Sequence, residues 1–229
     1  MLPDGALADE RTQSRLGDGG LDELLGCLWP GDCQTCGGSL GSGPPALVVD
    51  ELDVLTRASL HHRSCRAPEW NDSFLVRATS SALLSWRTVV LLLPFQDQGR
   101  EIRAAGLLVN PGLEEVPLAR DRGGWHPGVE PSFTSAGLTH PSAGLPIGMP
   151  AAGLTGWADG TSLGVSIRGW TEPYESRAEP EICGAVRELG GFLLIVTHAV
   201  NPSQLTTGKL MQAFESPATL TGWAHTDPG

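Results

Sequence analysis

Four residues in the amino-terminal third of the chain have the types and the spacing of metal ligands. Cys33 and Cys36 are separated by two residues, and after 25 intervening residues the chain reaches His62 and then Cys65. A Cys-x2-Cys pair on a tight turn directs two thiolates toward one ion, and Gly37 can adopt the positive φ that such a turn requires. Three thiolates and one imidazole are a typical ligand set for zinc. The sequence therefore predicts a zinc site at Cys33, Cys36, His62 and Cys65.

The predicted zinc is structural. Four protein ligands leave no coordination position for water, so the ion would contribute to folding, by about 10 kcal/mol or more, rather than to catalysis. The sequence leaves one ligand open, because His61 also stands at a usable distance from Cys65 and could replace His62. Cys27 and Cys183 are predicted to be buried thiols that pack as small hydrophobic side chains.

The segment between the two ligand pairs is predicted to be a β-hairpin. Strands are expected at 46–50 and 53–60, with an acidic turn between them. The hairpin would return the chain so that the second ligand pair faces the first. This order of Cys-x2-Cys turn, hairpin and His-x2-Cys resembles the treble-clef zinc fingers over about residues 27–72.

The treble-clef resemblance implies that the four predicted ligands occupy the ligand positions of that pattern, and that a helix begins at the second pair. Pro68 follows Cys65 closely and restricts the residue before it to extended conformations. Any helix here must therefore be very short or begin at Pro68 itself.

The amino-terminal residues bear on the cellular compartment. Residues 1–15 are acidic and lack the apolar core of a secretory signal, so we expect a cytoplasmic protein with reduced thiols rather than one with disulfide bonds. The longest apolar stretch, 83–95, is interrupted by polar residues and is shorter than the ~20 residues that a membrane span needs. No membrane association is predicted.

The fold class predicted from the whole chain is α+β. Residues 1–20 are expected to be a flexible acidic arm, and 21–72 a helix from Leu21 followed by the treble-clef-like zinc module. The remainder, 73–229, is expected to be one mainly antiparallel β-sheet flanked by few helices. Within it, a Gly- and Pro-rich stretch at 121–160 is predicted to be a long loop.

The strands and helices of 73–229 follow from apolar runs and turn residues. Leu91–Leu93 is apolar on both faces and is predicted to lie in a central strand, whereas Pro117 predicts an edge strand. One helix is expected at 180–189 and another at 204–214, capped by Ser203. The predicted strands are 73–80, 88–95, 103–110, 113–120, 162–168 and 191–200.

The function predicted from these features is a non-catalytic zinc-binding protein that serves as a protein-interaction or regulatory module. The net charge of −11 repels nucleic acid at long range. One alternative is nevertheless a regulatory nucleic-acid binder that uses Arg57, Arg63 and Arg66. The other is an enzyme of unrecognised type, with its site under the 121–160 loop around His126 or His198.

Overall fold

The computed structural model describes residues 5–52, 55–73, 86–97, 100–170 and 172–226. Its contacts divide the chain into two units. The first unit comprises the described parts of Met1–Trp86 together with Pro111–Val129, and the second comprises Arg87–Asn110 and Glu130–Gly229. The first unit therefore includes residues 111–129, which the sequence analysis assigned to the carboxy-terminal domain.

The described residues form helices and strands in the following order along the chain: α1 (Glu10–Gly26), β1 (Ala46–Glu51), β2 (Thr56–His61), β3 (Glu69–Asn71), β4 (Arg87–Asp97), β5 (Arg100–Asn110), β6 (Glu115–Asp121), β7 (Gly124–Pro127), α2 (Pro131–Ser135), β8 (Leu154–Ala158), β9 (Ser162–Ile167), β10 (Tyr174–Arg177), α3 (Pro180–Leu189), β11 (Gly191–Thr197), α4 (Thr207–Glu215) and β12 (Thr219–His225). Short 3-10 helices lie at Pro141–Ala143 and Pro202–Gln204. None of the helices in the described ranges is both long and apolar enough to cross a bilayer.

Helix α1 begins earlier than predicted. The Asp9 side chain accepts a hydrogen bond from the backbone N–H of Thr12 and so caps a helix that starts at Glu10, not at Leu21. Gly17 has a φ of +66°, which is not helical, and kinks α1 at that residue. The polar, Gly-rich composition of residues 1–20 had instead indicated a flexible arm. Much of the predicted flexible arm is therefore helical.

The first unit contains a five-stranded sheet in the order β3-β1-β2-β6-β7. Strands β1 and β2 form the predicted antiparallel hairpin, in a register that places Ala46 opposite His61. The edge position predicted for the strand containing Pro117 is wrong, because β6 lies between β2 and β7. Pro117 lacks an N–H group, but its carbonyl oxygen accepts a hydrogen bond from the backbone of Gly128.

The second unit contains a four-stranded sheet in the order β12-β11-β5-β4 and a three-stranded antiparallel sheet in the order β10-β9-β8. Its strands thus form two sheets rather than the one predicted. Strand β11 is buried throughout and pairs in parallel with β5. The central position predicted for Leu91–Leu93 is wrong, because β4 lies at the edge among the described strands and these leucines are half-buried. An apolar run does not reveal which strands will cover it.

The stretch 121–160 is not the long loop that was predicted. It contains the end of β6, β7, α2, the first 3-10 helix and β8, because its Gly and Pro residues punctuate short elements. Helix α3 has the predicted bounds, whereas α4 begins at Thr207 with Thr206 as its cap. The predicted strand at 73–80 lies almost entirely outside the described residues. Mixed helix and strand content with mostly antiparallel sheets confirms the coarse prediction of fold class.

Candidate metal centre

The first ligand pair lies on a tight turn held by its own backbone. The N–H of Cys33 donates to the carbonyl of Gly38 at 2.8 Å, and the N–H of Gly37 donates back to the carbonyl of Cys33 at 2.8 Å. Gly37 has a φ of +69°, which a residue with a side chain rarely adopts. A bridge between Asp32 and Ser39 closes the base of the turn. We refer to residues 32–39 as the knuckle.

The second ligand pair follows directly from strand β2. His62 comes after the last residue of that strand, and its carbonyl oxygen accepts from the N–H of Cys65 at 2.9 Å and of Arg66 at 3.0 Å. This single turn places Cys65 next to His62. The described chain between Cys65 and β3 forms no helix, consistent with the restriction that Pro68 imposes.

The four predicted ligands come together in the structure. The ligand atoms of Cys33, Cys36, His62 and Cys65 all lie within 4.8 Å of one another. His62 Nδ1 is 3.4 Å from Cys36 Sγ and 3.9 Å from Cys65 Sγ. Tetrahedral zinc with ordinary Zn–S and Zn–N bond lengths separates sulfur from nitrogen by about 3.6 Å. The arrangement can therefore hold a metal ion of this size.

The tautomer of His62 is set by a backbone carbonyl. His62 Nε2 lies 2.8 Å from the carbonyl oxygen of Ser39, which can only accept, so Nε2 carries the hydrogen. Nδ1 is then left with its lone pair directed toward the thiols. Two contacts raise the pKa of His62: the larger effect comes from the Ser39 carbonyl and the smaller from Cys36. Such a hydrogen bond from the distal nitrogen is the usual way in which a protein orients a ligating histidine.

The thiols differ in how readily they ionise. Burial raises the pKa of Cys33, but backbone N–H groups of His62, Thr35 and Cys36 lower it to about 7. The His62 N–H lies 3.2 Å from Cys33 Sγ. Burial and the neighbouring thiols raise the pKa of Cys65 to about 11. Metal binding by Cys65 therefore requires release of its proton, as is general for thiolate sites.

His61 lies outside the cluster of candidate ligands. Its Nδ1 lies 2.8 Å from Thr35 Oγ1 and its Nε2 lies 2.8 Å from Ser59 Oγ. Its residue surface is 1% exposed, and burial, followed by the charge of Arg66, lowers its pKa to about 4. The alternative left open by spacing is thus decided by geometry, because His62 and not His61 faces the cysteines.

Glu114, which is distant in sequence, contacts the first residue of the knuckle. Glu114, directly before β6, is buried, and its Oε1 accepts from the backbone N–H of Asp32 at 3.2 Å. Its backbone carbonyl accepts from the N–H of Leu60 on β2 at 3.1 Å. A Cβ atom on Gly31 would collide with Glu114 Oε1, so a side chain at this position would displace the Glu114 carboxylate from Asp32. Sequence spacing gave no sign of this contact.

Two of the three arginines proposed for nucleic-acid binding are engaged in ion pairs. Arg66 is buried and bonds to Asp50 at 2.8 and 3.0 Å and to Glu69 at 2.8 Å. Arg57 bonds to Glu115 at 2.7 Å. Arg63 is exposed. The positive charges of Arg57 and Arg66 are therefore balanced by carboxylates within the first unit.

The two histidines of the predicted enzyme site lie in different units. His126 Nδ1 lies 2.9 Å from the carbonyl oxygen of Pro127, while His198 is buried in the second unit. A cleft of about 530 Å³ lies in the second unit between α3 and strands β4 and β5. Within the described residues, its lining includes neither these histidines nor any residue of 121–160.

The other two cysteines lie outside the candidate site. Cys27 ends α1 and Cys183 lies in α3, and both are buried as predicted. Burial, followed by the charge of Glu23, raises the pKa of Cys27 to about 12. All five cysteines, each within the described ranges, are free thiols.

Comparison of the chain with protein-family models, curated proteins and solved structures finds no match. The functional argument therefore depends on the geometry of the site.

Proposed function

We propose that this chain is a zinc-binding protein in which the ion is structural, and that the first unit serves as a non-catalytic interaction or regulatory module. The observation that carries the proposal is the convergence of four ligand atoms, within 4.8 Å of one another, from two short segments on either side of a hairpin. The succession of knuckle, hairpin and second ligand turn also supports the resemblance to treble-clef zinc fingers.

Zinc is the ion that this donor set favours. Three soft thiolates with one imidazole in a tetrahedral arrangement suit zinc, whereas magnesium and calcium select oxygen ligands. The lowered pKa of Cys33 near 7 makes one thiolate accessible at neutral pH. The lone pair of His62 Nδ1 supplies the nitrogen ligand without loss of a proton.

A structural role follows from the closed ligand set, because no coordination position remains for substrate or water. The ion would connect the knuckle to the turn after β2. Two exposed segments would be held rigid by the metal: Cys36–Gly37, which begins at a ligand, and Arg63–Ser64, which lies between two ligands. Fixed, exposed loops of this kind suit recognition of another protein, and thiolate ligands suit the cytoplasm.

Metal content tests the proposal directly. Native mass spectrometry of the full chain should show one zinc ion per molecule, and Cys36→Ser should lose most of it. Cys36 is exposed, so its replacement changes the ligand set without opening a cavity. Cys183→Ala, a thiol removed from outside the site, is the matched control and should retain zinc. A wild-type protein without stoichiometric metal, or full zinc occupancy in Cys36→Ser, would contradict the proposal.

Turnover assays test the non-catalytic part. Zinc-dependent hydrolase or transferase activity above background, lost in Cys36→Ser and kept in Cys183→Ala, would overturn it. Conversely, protein partners cross-linked in cells by the wild-type chain and by Cys183→Ala, but not by Cys36→Ser, would support an interaction surface fixed by the metal.

A further inference from the structure

The imidazole of His61 is held between two hydroxyl groups in the first unit. Both ring nitrogens have a partner at 2.8 Å, Thr35 Oγ1 on one side and Ser59 Oγ on the other. His61 and Ser59 are both buried. We refer to Thr35, His61 and Ser59 as the imidazole clamp.

The clamp joins the two halves of the candidate metal centre. Thr35 lies in the knuckle between the two cysteines, while Ser59 and His61 lie two positions apart on β2 and therefore share one face of the strand. The backbone adds a parallel connection, because the N–H of Gln34 donates to the carbonyl of Leu60 at 3.0 Å. The clamp thus fixes the position of the knuckle relative to the strand that leads into His62.

The clamp also separates the roles of two adjacent histidines. His61 stands close enough to Cys65 in sequence to be an alternative ligand, and a free imidazole there would compete with His62. Hydroxyl groups can both donate and accept, so Thr35 and Ser59 satisfy His61 in either tautomer. With both nitrogens engaged, His61 has no lone pair to offer a metal, and His62 becomes the nitrogen ligand.

We infer that His61 is a positioning residue for the metal centre: through Thr35 and Ser59 it sets the knuckle against β2 and leaves His62 as the imidazole that binds the ion. The inference rests on the proposed function, since it concerns the same site. Removal of a group that hydrogen-bonds a metal ligand typically weakens metal affinity by about 10- to 100-fold, and the clamp acts one contact further from the ion, so a loss of about 10-fold is expected here.

The test compares Thr35→Val with Thr35→Ser in the full chain. Valine keeps the shape of threonine but removes the hydroxyl, whereas serine restores it. Affinity for Co²⁺ and Zn²⁺, measured by competition with a chelator, should fall about 10-fold in Thr35→Val and stay at the wild-type value in Thr35→Ser. Thr155→Val, the same change on an exposed strand position of the second unit, is the matched control.

A second readout separates positioning from general destabilisation. In the wild type, ¹⁵N chemical shifts of the His62 ring should move strongly on addition of zinc, while those of His61 should move little. If Thr35→Val does not fold, Ser59→Ala replaces it, with the same measurements of metal affinity and of histidine ring shifts. Wild-type affinity in both variants, or a metal-induced ring shift larger at His61 than at His62, would overturn the inference. If the wild type binds no metal, the proposed function itself fails instead.

Discussion

Replacement of Arg66 by methionine should destabilise the first unit by about 2–3 kcal/mol. Arg66 follows the last predicted ligand, Cys65, and its guanidinium bonds to Asp50 on β1 and to Glu69 on β3. These contacts anchor the chain after the second ligand pair, where the treble-clef pattern would have a helix. The change therefore tests whether a buried ion-pair cluster performs that anchoring.

The magnitude follows from the burial of the three partners. Removing one member of a fully buried ion pair costs about 3–5 kcal/mol, whereas an exposed pair contributes about 0.2–1 kcal/mol. The Arg66 side chain is 7% exposed, but those of Asp50 and Glu69 are 22% and 34% exposed. Water can therefore partly satisfy the two carboxylates after the change, which places the expected loss below the fully buried range.

Urea unfolding of the zinc-loaded chain, followed by fluorescence, measures this loss. Arg63→Met makes the same chemical change at an exposed arginine three residues earlier and should alter stability by no more than about 0.5 kcal/mol. A double-mutant cycle with Asp50→Asn then isolates the pairwise coupling. If Arg66→Met is no more destabilising than Arg63→Met, or the cycle gives a coupling near zero, the cluster does not anchor this segment.

Two further predictions concern pH and close packing. Burial raises the pKa of Asp50, but hydrogen bonds from Arg66 and Asn71 lower it below its ordinary value of 3.8, so its stabilising effect is present above about pH 4 and is lost in stronger acid. With zinc at the same excess in both proteins, the stability difference between wild type and Arg66→Met should therefore shrink on acidification; a constant difference would contradict this. Gly153→Ala should destabilise the second unit, since its Cβ would lie 2.6 Å from Ala136 Cα, whereas Gly184→Ala in α3 should raise the melting temperature slightly.

The features that the sequence predicted well depend on short-range patterns. The spacing of the cysteines and of the adjacent His61 and His62 predicts the Cys and His cluster, although not which histidine joins it, and the hairpin between the pairs follows from two β-rich runs. Helix α3 has its predicted bounds because Pro180 occupies its first turn and Gly190 ends it with a φ of +68°.

The features that were missed depend on contacts between distant segments. Strand β6 lies inside its sheet because β7 returns beside it, and no pattern within residues 113–120 reveals that partner. The predicted start of α1 was wrong because residues before the Gly17 kink are also helical, capped by Asp9, although their polar, Gly-rich composition indicated a flexible arm. The contacts of Glu114 and of Arg66 likewise join residues that are far apart in sequence.

The sequence contains one signal for the imidazole clamp. Ser59 and His61 are two positions apart on β2, so their side chains share one face of the strand. The next residue, His62, is not expected on that face. The contact of His61 with Thr35, 26 residues away, could not be read from that spacing.

X-ray absorption at the zinc edge of the purified full chain tests the central claim most directly. The account predicts one zinc per chain, with three sulfur neighbours at about 2.3 Å and one nitrogen neighbour at about 2.0–2.1 Å. Substoichiometric metal, or a first shell dominated by oxygen, would contradict it.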